Sequence, residues 1–116
     1  MSDRIVLTIP GDERFRAVAT LVLGGIGSRV DLPYERLDDL HLAVLSVLEA
    51  ADGGEVSIEA SAEEARLTLS LGPLRAGAGD DAGLTRVLSR LVDAVEPERR
   101  DGAEWLILTI AHPPAG

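Results

Sequence analysis

The sequence predicts an α+β domain: a two-layer sandwich in which a largely antiparallel, mixed sheet of four to five strands carries three helices on one face. Three observations point to it. Apolar and polar residues alternate near both ends of the chain and in its middle, as in strands with one face toward a core. Apolar residues recur at helical spacing in three other stretches. These segments follow the order β-α-α-β-β-α-(β)-β, and one sheet face is polar. At 116 residues and 46% hydrophobic, the chain has enough apolar material for one domain spanning 1–116.

Each element has its own signal. Residues 4–9 alternate with Ile5, Leu7 and Ile9 on one side, and Pro10-Gly11 ends that strand. Gly11 or Asp12 caps a first helix whose stripe is Phe15, Val18, Ala19, Val22 and Ile26; Gly24, Gly25 and Gly27 mark either fraying or close backbone packing at its end. Asp31-Leu32-Pro33 starts the second helix, with Pro33 in its first turn, and Asp52-Gly53-Gly54 ends it. Its stripe is Leu37, Leu40, Val44, Val47, Leu48 and Ala51. A separate line of small residues, Ala43, Ser46 and Ala50, predicts a close-packed neighbour or a pocket wall. Val56, Ile58 and Ala60, then Leu67, Leu69 and Leu71, form a hairpin around a turn at 62–65. Residues 72–80 form a flexible loop leading to a helix capped by Asp80 or Asp81, with Leu84, Val87, Leu88, Leu91, Val92 and Val95 as its stripe. Residues 95–99 suit a short edge strand, Asp101-Gly102 a hairpin turn, and Trp105–Ile110, apolar on both faces, an interior strand.

Composition excludes several chemistries. There is no cysteine, so no disulfide or thiol chemistry, and His41 and His112 are too far apart in sequence to suggest a metal cluster. All 11 basic residues are arginine, and lysine, asparagine and glutamine are absent. No lysine can therefore hold a phosphate or form a Schiff base. A net charge of −9 disfavours nucleic acid as a partner. No apolar run is long enough for a membrane span and the N-terminus lacks a signal-peptide pattern, so the expected location is cytoplasmic. Between Glu35 and Glu64 the acids Glu35, Asp38, Asp39, Glu49, Asp52, Glu55, Glu59, Glu63 and Glu64 face one arginine, Arg36. That run is either a solvated face or a docking surface for a basic partner, with Asp38, Asp39 and Glu49 as its candidate contacts.

Asp38 and His41 are three apart on one helix face and can touch, but no nucleophile or third ligand is placed beside them. Ser46, without an adjacent base, is expected to bond back to its own helix. Arg99-Arg100 beside Asp101 reads as a charged hairpin end.

The stretch Asp38-Asp39-Leu40-His41-Leu42-Ala43-Val44, placed after a strand ending in Ile9-Pro10 and a first helix, resembles the anti-sigma regulatory factors. These are the small serine-protein kinases of bacterial partner switching, within the Bergerat-fold, histidine-kinase-like ATPase superfamily. Gly83-Leu84 opening a helix that runs to Leu91-Val92-Asp93-Ala94-Val95, followed by a glycine-turned final strand, is similar to that family's C-terminal half. The resemblance implies a catalytic glutamate two residues after Val44 and a magnesium-binding asparagine four residues later; these positions hold Ser46 and Ala50. Serine is no carboxylate base at neutral pH and alanine offers the metal no oxygen. The adenine-reading Asp-x-Gly-x-Gly is replaced by residues 70–74, where Gly72 survives without the aspartate. The glycine-rich lid is reduced to Gly77, Gly79 and Gly83, interrupted by Asp80 and Asp81, which repel phosphate.

The expected function is a non-catalytic anti-sigma-factor-like interaction module with no cofactor and no metal. Its nucleotide pocket, formed from Ala43, Ser46, Ala50, Gly72, Gly77, Gly79 and Gly83, is degenerate. By resemblance its partner is a sigma factor or a sigma-factor antagonist, and homodimerisation is open to it. Two other readings stand beside this one: a ferredoxin-like regulatory domain binding a small effector at Ala43, Ser46 and Ala50, and an active ATP-dependent serine-protein kinase.

Overall fold

The computed structural model describes residues 3–10, 14, 16–29, 32–51, 54–63 and 66–111. Its elements are β1 (Asp3–Pro10), α1 (Arg16–Arg29), α2 (Tyr34–Leu48), β2 (Glu55–Glu63), β3 (Arg66–Leu74), α3 (Ala82–Leu91), β4 (Ala94–Arg100) and β5 (Ala103–Ala111), with a 3-10 turn at Ala78–Asp80 before α3. The sheet order is β1-β2-β3-β5-β4 and every pairing is antiparallel, so the mixed character expected of the sheet is not present among the described strands. A ferredoxin-like sandwich repeats a split β-α-β unit, two parallel strands with a third between them; β3-α3-β4 around β5 has that form, but β1 and β2 are direct antiparallel neighbours, so the repeat is absent. The α+β sandwich with three helices is the observed architecture.

The alternation read from the sequence sets the register. Val56, Ile58 and Ala60 of β2, Leu67, Leu69 and Leu71 of β3, and Leu106, Leu108 and Ile110 of β5 are all buried on the helix side. They form one apolar cluster with Leu23 and Ile26 of α1, Leu40, Val44 and Val47 of α2, and Leu88 of α3. The other sheet face carries Arg4, Thr8, Ser57 and Glu59, as its polar alternation requires. β5 is interior, between β3 and β4, and β4 is an edge strand. Asp101 (φ 49°) and Gly102 (φ 79°) join them in a two-residue turn with both residues left-handed, the conformation whose twist matches a hairpin.

Three helix expectations need correction. In α1 the buried phase runs through Ala19, Leu23 and Ile26, while Val18 is 39% exposed. The helix is apolar nearly all round, so periodicity alone does not fix its buried side. It continues through its glycines to Arg29 without ending at them. Gly27 is the one in close packing: a Cβ there would lie 2.7 Å from Cδ1 of Leu37, whereas at Gly24 and Gly25 it would meet nothing within 4 Å. In α2, Pro33 is the residue before the first turn, and the helix stops at Leu48, short of Ala50 and Ala51. α3 likewise ends at Leu91, leaving Val87 exposed and placing Val92 and Val95 beyond the helix. The predicted cap at Gly11 or Asp12, Phe15, Asp31, the stop at Asp52-Gly53, Glu64, Ala65 and His112 lie outside the described residues.

Candidate functional site

The positions singled out by the family resemblance begin on α2. Ala43 is completely buried and packs in the core. Ser46 lies one turn below Leu42 and its Oγ donates to the Leu42 carbonyl at 2.8 Å, the self-bonding expected of a serine on an apolar helix. Ala50 lies just past the last residues of α2, in the turn that follows the helical Glu49. The Ala50 and Ala51 amides donate to the Val47 and Leu48 carbonyls at 2.8 and 3.1 Å, tightening the chain into a turn. The Ala50 carbonyl then accepts from the Arg75 amide at 2.9 Å, and Ala51 bridges Leu74. The end of α2 is thereby stapled to the end of β3. Ala50 is itself buried at 4% exposure, so the small-residue line marks close packing at Ala43 and Ala50.

Gly72 is on the opposite face of the sheet. It lies under the indole of Trp105, and a Cβ at this position would overlap the ring. The absence of a side chain here serves a cross-strand contact with β5, not a ligand. Nor is the stretch 72–80 a single flexible loop. β3 extends through Leu74, and Ala78–Asp80 form the 3-10 turn. Three contacts hold it down: Ala78 is fully buried, its amide donates to Glu104 Oε2 at 3.1 Å, and Gly79 sits against Pro97. Gly77, at φ 87°, makes the turn that a residue with a side chain would resist. It lines an open groove with Pro73, Leu74, Ala76, Asp80, Arg99, Gly102, Ala103 and Glu104, a set containing none of Ala43, Ser46 or Ala50. Gly83 is exposed in the first turn of α3.

Asp81, and not Asp80, caps α3. One carboxylate oxygen accepts from the Leu84 amide at 3.0 Å and the other from Arg75 at 2.6 Å. The amide bond first, then the guanidinium, hold the Asp81 carboxyl below its usual range. Glu104 and Arg75 are thus what fix the segment expected to be a lid; Glu104 carries no spacing signal because its partner is a backbone amide 26 residues away, and Arg75 none because its six-residue separation from Asp81 follows no helix or strand period.

A magnesium-nucleotide site needs a carboxylate base, a metal-bound oxygen and a flexible cradle facing the same helix. Here the Ser46 hydroxyl is engaged, Ala50 is buried, and Gly77 and Gly79 of the would-be cradle face the β4–β5 end. Among the described residues no three His, Cys, Asp or Glu side chains cluster as a metal site would require. The residues at these positions do not fit the group.

The acidic run is also dispersed by the fold. Glu59 lies on the outer sheet face, bound to Arg4 at 3.2 Å and Arg100 at 3.0 Å, and Arg100 reaches Glu98 at 2.9 Å while stacking 4.3 Å from the Trp105 ring centre. Glu98 first, then Glu59, push the Arg100 pKa up and keep it charged. Arg100 is therefore part of a strap across the sheet rather than a free hairpin end. Asp39 is tied to Arg36 at 3.2 Å, and Arg36 crosses to Asp93 at 2.8 Å, joining α2 to the end of α3. Asp38 is exposed and makes no hydrogen bond to His41, whose Nε2 is buried without a partner. Glu49 is exposed, 3.9 Å from Arg16. Of the three candidate partner contacts, Asp38 and Glu49 face solvent and Asp39 is a structural ion pair.

No protein-family model matches the chain. Curated proteins from Listeria monocytogenes do match. The serine-protein kinases RsbW of serotype 4a strain HCC23 and of serotype 4b strains CLIP80459 and F2365 are each 31% identical over 67 residues. The matched stretch takes in 51% of this chain and 43% of each relative, so the similarity spans less than half the length of those kinases. Over about half of its length, this chain is similar to serine-protein kinases named RsbW.

Proposed function

We propose that this chain is a protein-interaction module of the anti-sigma regulatory factor type that binds a protein partner in bacterial transcriptional or stress-response regulation without phosphorylating it. The partial similarity to RsbW and the α+β sandwich support the family. The observation that carries the non-catalytic reading is the state of Ser46 and Ala50. A serine bonded to its own helix and an alanine beyond the helix end stand where a base and a metal ligand are required. The held-down segment from Gly77 to Gly83 supports it further. In this reading the domain spans 1–116, acts in the cytoplasm, recognises a sigma factor or a sigma-factor antagonist, and has dimerisation open to it. The net charge of −9 argues against nucleic acid, and no helix of the described residues is long and apolar enough to cross a membrane.

A second reading, an active ATP-dependent serine-protein kinase, is favoured by one observation: the matched relatives are named as such. The direct antiparallel pairing of β1 with β2 leaves the ferredoxin-like effector domain without support. Affinity capture from the native cytosol tests the proposal. Recovery of a sigma factor or its antagonist, unmodified after incubation with ATP, is the expected outcome. Recovery of a metabolic enzyme, or phosphate incorporated into the captured partner, contradicts it.

A further inference from the structure

We propose that the outward face of the α1–α2 pair is a docking surface for a basic amphipathic helix of a partner protein; this rests on the reading of the chain as a binding module. A helix on a protein surface normally turns charged residues to water. α1 has none between Arg16 and Arg29, and its outward side presents Leu21, 77% exposed, and Val18. The neighbouring helix adds Leu42, 55% exposed, on the same line as Glu35, Asp38 and Glu49, which are spaced by whole helical turns. Gly27 against Leu37 at one end and Arg16 near Glu49 at the other show that α1 and α2 lie antiparallel side by side. Leu21 and Leu42 therefore fall at the middle of one continuous surface, with Glu35 and Asp38 toward one end and Glu49 toward the other. A Cβ at Gly24 or Gly25 would meet nothing within 4 Å, so this side of α1 has open space for an approaching helix.

Charge selects the occupant. Glu35 and Asp38 have no ion pair among the described residues, while Arg36 of the same helix turns away to Asp39 and Asp93. Arg16 sits near Glu49. Exposed leucines beside Glu35 and Asp38, carboxylates without an ion pair among the described residues, match a helix with leucine-like residues along one stripe and lysine or arginine on its flanks, the helix-in-groove mode of recognition. A second copy of this chain would bring the same carboxylates and its own net charge of −9 to the interface.

Fluorescence anisotropy with a labelled 18-residue helix of leucine and lysine, beside a leucine–glutamate helix of the same leucine pattern, tests the surface. The lysine peptide should bind one to one and the glutamate peptide should not. Leu42→Ser, with Leu21→Ser as a second variant, should weaken binding about tenfold. The double change Glu35→Gln, Asp38→Asn should weaken it about threefold to tenfold at low salt, and Glu63→Gln at the far end of β2 should leave it unchanged. Circular dichroism verifies that each variant is folded, as the exposure of these side chains requires. Equal loss from Glu63→Gln, no loss from either leucine variant, or equal binding of the glutamate peptide would overturn the proposal. So would a dimer of the protein that Leu21→Ser dissociates. Phosphorylation of a captured partner would end the non-catalytic reading and leave this titration intact, so the two failures are distinguishable.

Discussion

Leu40 and Leu42 are two residues apart on α2 and have opposite fates, which makes them a direct test of how the helix is seated. Leu40 has no exposed surface and lies in the central apolar cluster, whereas Leu42 is 55% exposed. Truncating a buried leucine to alanine removes its transfer free energy and leaves a cavity that close-packed neighbours fill only in part. Leu40→Ala should therefore cost about 2–5 kcal/mol. Leu42→Ala should fall within about 0.5 kcal/mol, since alanine suits a helix and little burial is lost. With a urea slope of about 1–3 kcal/mol per molar for a small domain, the first change should lower the midpoint by about 1–3 M and the second should barely move it. Against a total stability of about 5–15 kcal/mol, the Leu40 variant remains folded in water or stands near the limit of doing so. Urea titration followed by far-ultraviolet circular dichroism reads both. A Leu40→Ala shift no larger than that of Leu42→Ala would refute the orientation of α2 and, with it, the docking surface built on Leu42.

Further expectations concern the outer sheet face and the cap of α3. Gly72→Ala should cost about 1–3 kcal/mol by forcing a methyl into the Trp105 ring, and the penalty should shrink in a Trp105→Leu background; equal penalties in both would show that the ring does not cover Gly72. Arg100→Ala removes the strap joining Glu59 and Glu98 over Trp105, so the emission of this sole tryptophan should shift to longer wavelength with a loss of about 1 kcal/mol, and an unshifted spectrum would contradict the stacking. The Asp81 carboxyl has a folded-state pKa below its ordinary value, so its stabilisation is present above the unfolded pKa near 3.8 and is lost as pH falls through the lower folded value. The midpoint gap between the parent and Asp81→Ala should accordingly be constant at neutral pH and close only in strong acid; a gap that vanishes at pH 5 would mean that Asp81 does not hold the Leu84 amide and Arg75.

Much of this fold can be read directly from side-chain periodicity. Leu67, Leu69 and Leu71 alternate with polar residues over one hairpin strand, and Asp101-Gly102 has the chemistry that a left-handed two-residue turn demands. The phase of α1 was not legible because Val18, Val22, Leu21 and Leu23 are all apolar, and only the neighbours in space decide which faces inward. The early end of α2 was not legible for a related reason. Ala50 and Ala51 continue a helical pattern, but Arg75 and Leu74, more than twenty residues away, take their backbone groups instead. At the candidate site, the self-bonded Ser46 was expected from a hydroxyl without a partner base. The role of Glu104 was not, since its partner is the amide of Ala78, and backbone amides leave no mark in a sequence. The acidic run from Glu35 to Glu64 shows the limit of linear counting: β2 carries Glu59 to the far side of the sheet, leaving Glu35, Asp38 and Glu49 on the helix face.

The proposed non-catalytic function requires that the positions of Ser46 and Ala50 hold no working nucleotide site. A missing general base costs about 10²–10⁴ in rate, and the lost metal ligand removes charge stabilisation from the phosphates. Restoring both, as Ser46→Glu with Ala50→Asn, should still give no turnover, because Ala50 is buried with its carbonyl bonded to the Arg75 amide and Glu104 holds the segment before α3 against β5. Isothermal titration of the protein with ATP in the presence of magnesium, run beside a phosphate-release assay, is the most direct measurement. No saturable heat at micromolar concentrations and no phosphate above the buffer blank are expected; magnesium-dependent micromolar affinity, or measurable turnover, would contradict the proposed function and make this chain an active kinase.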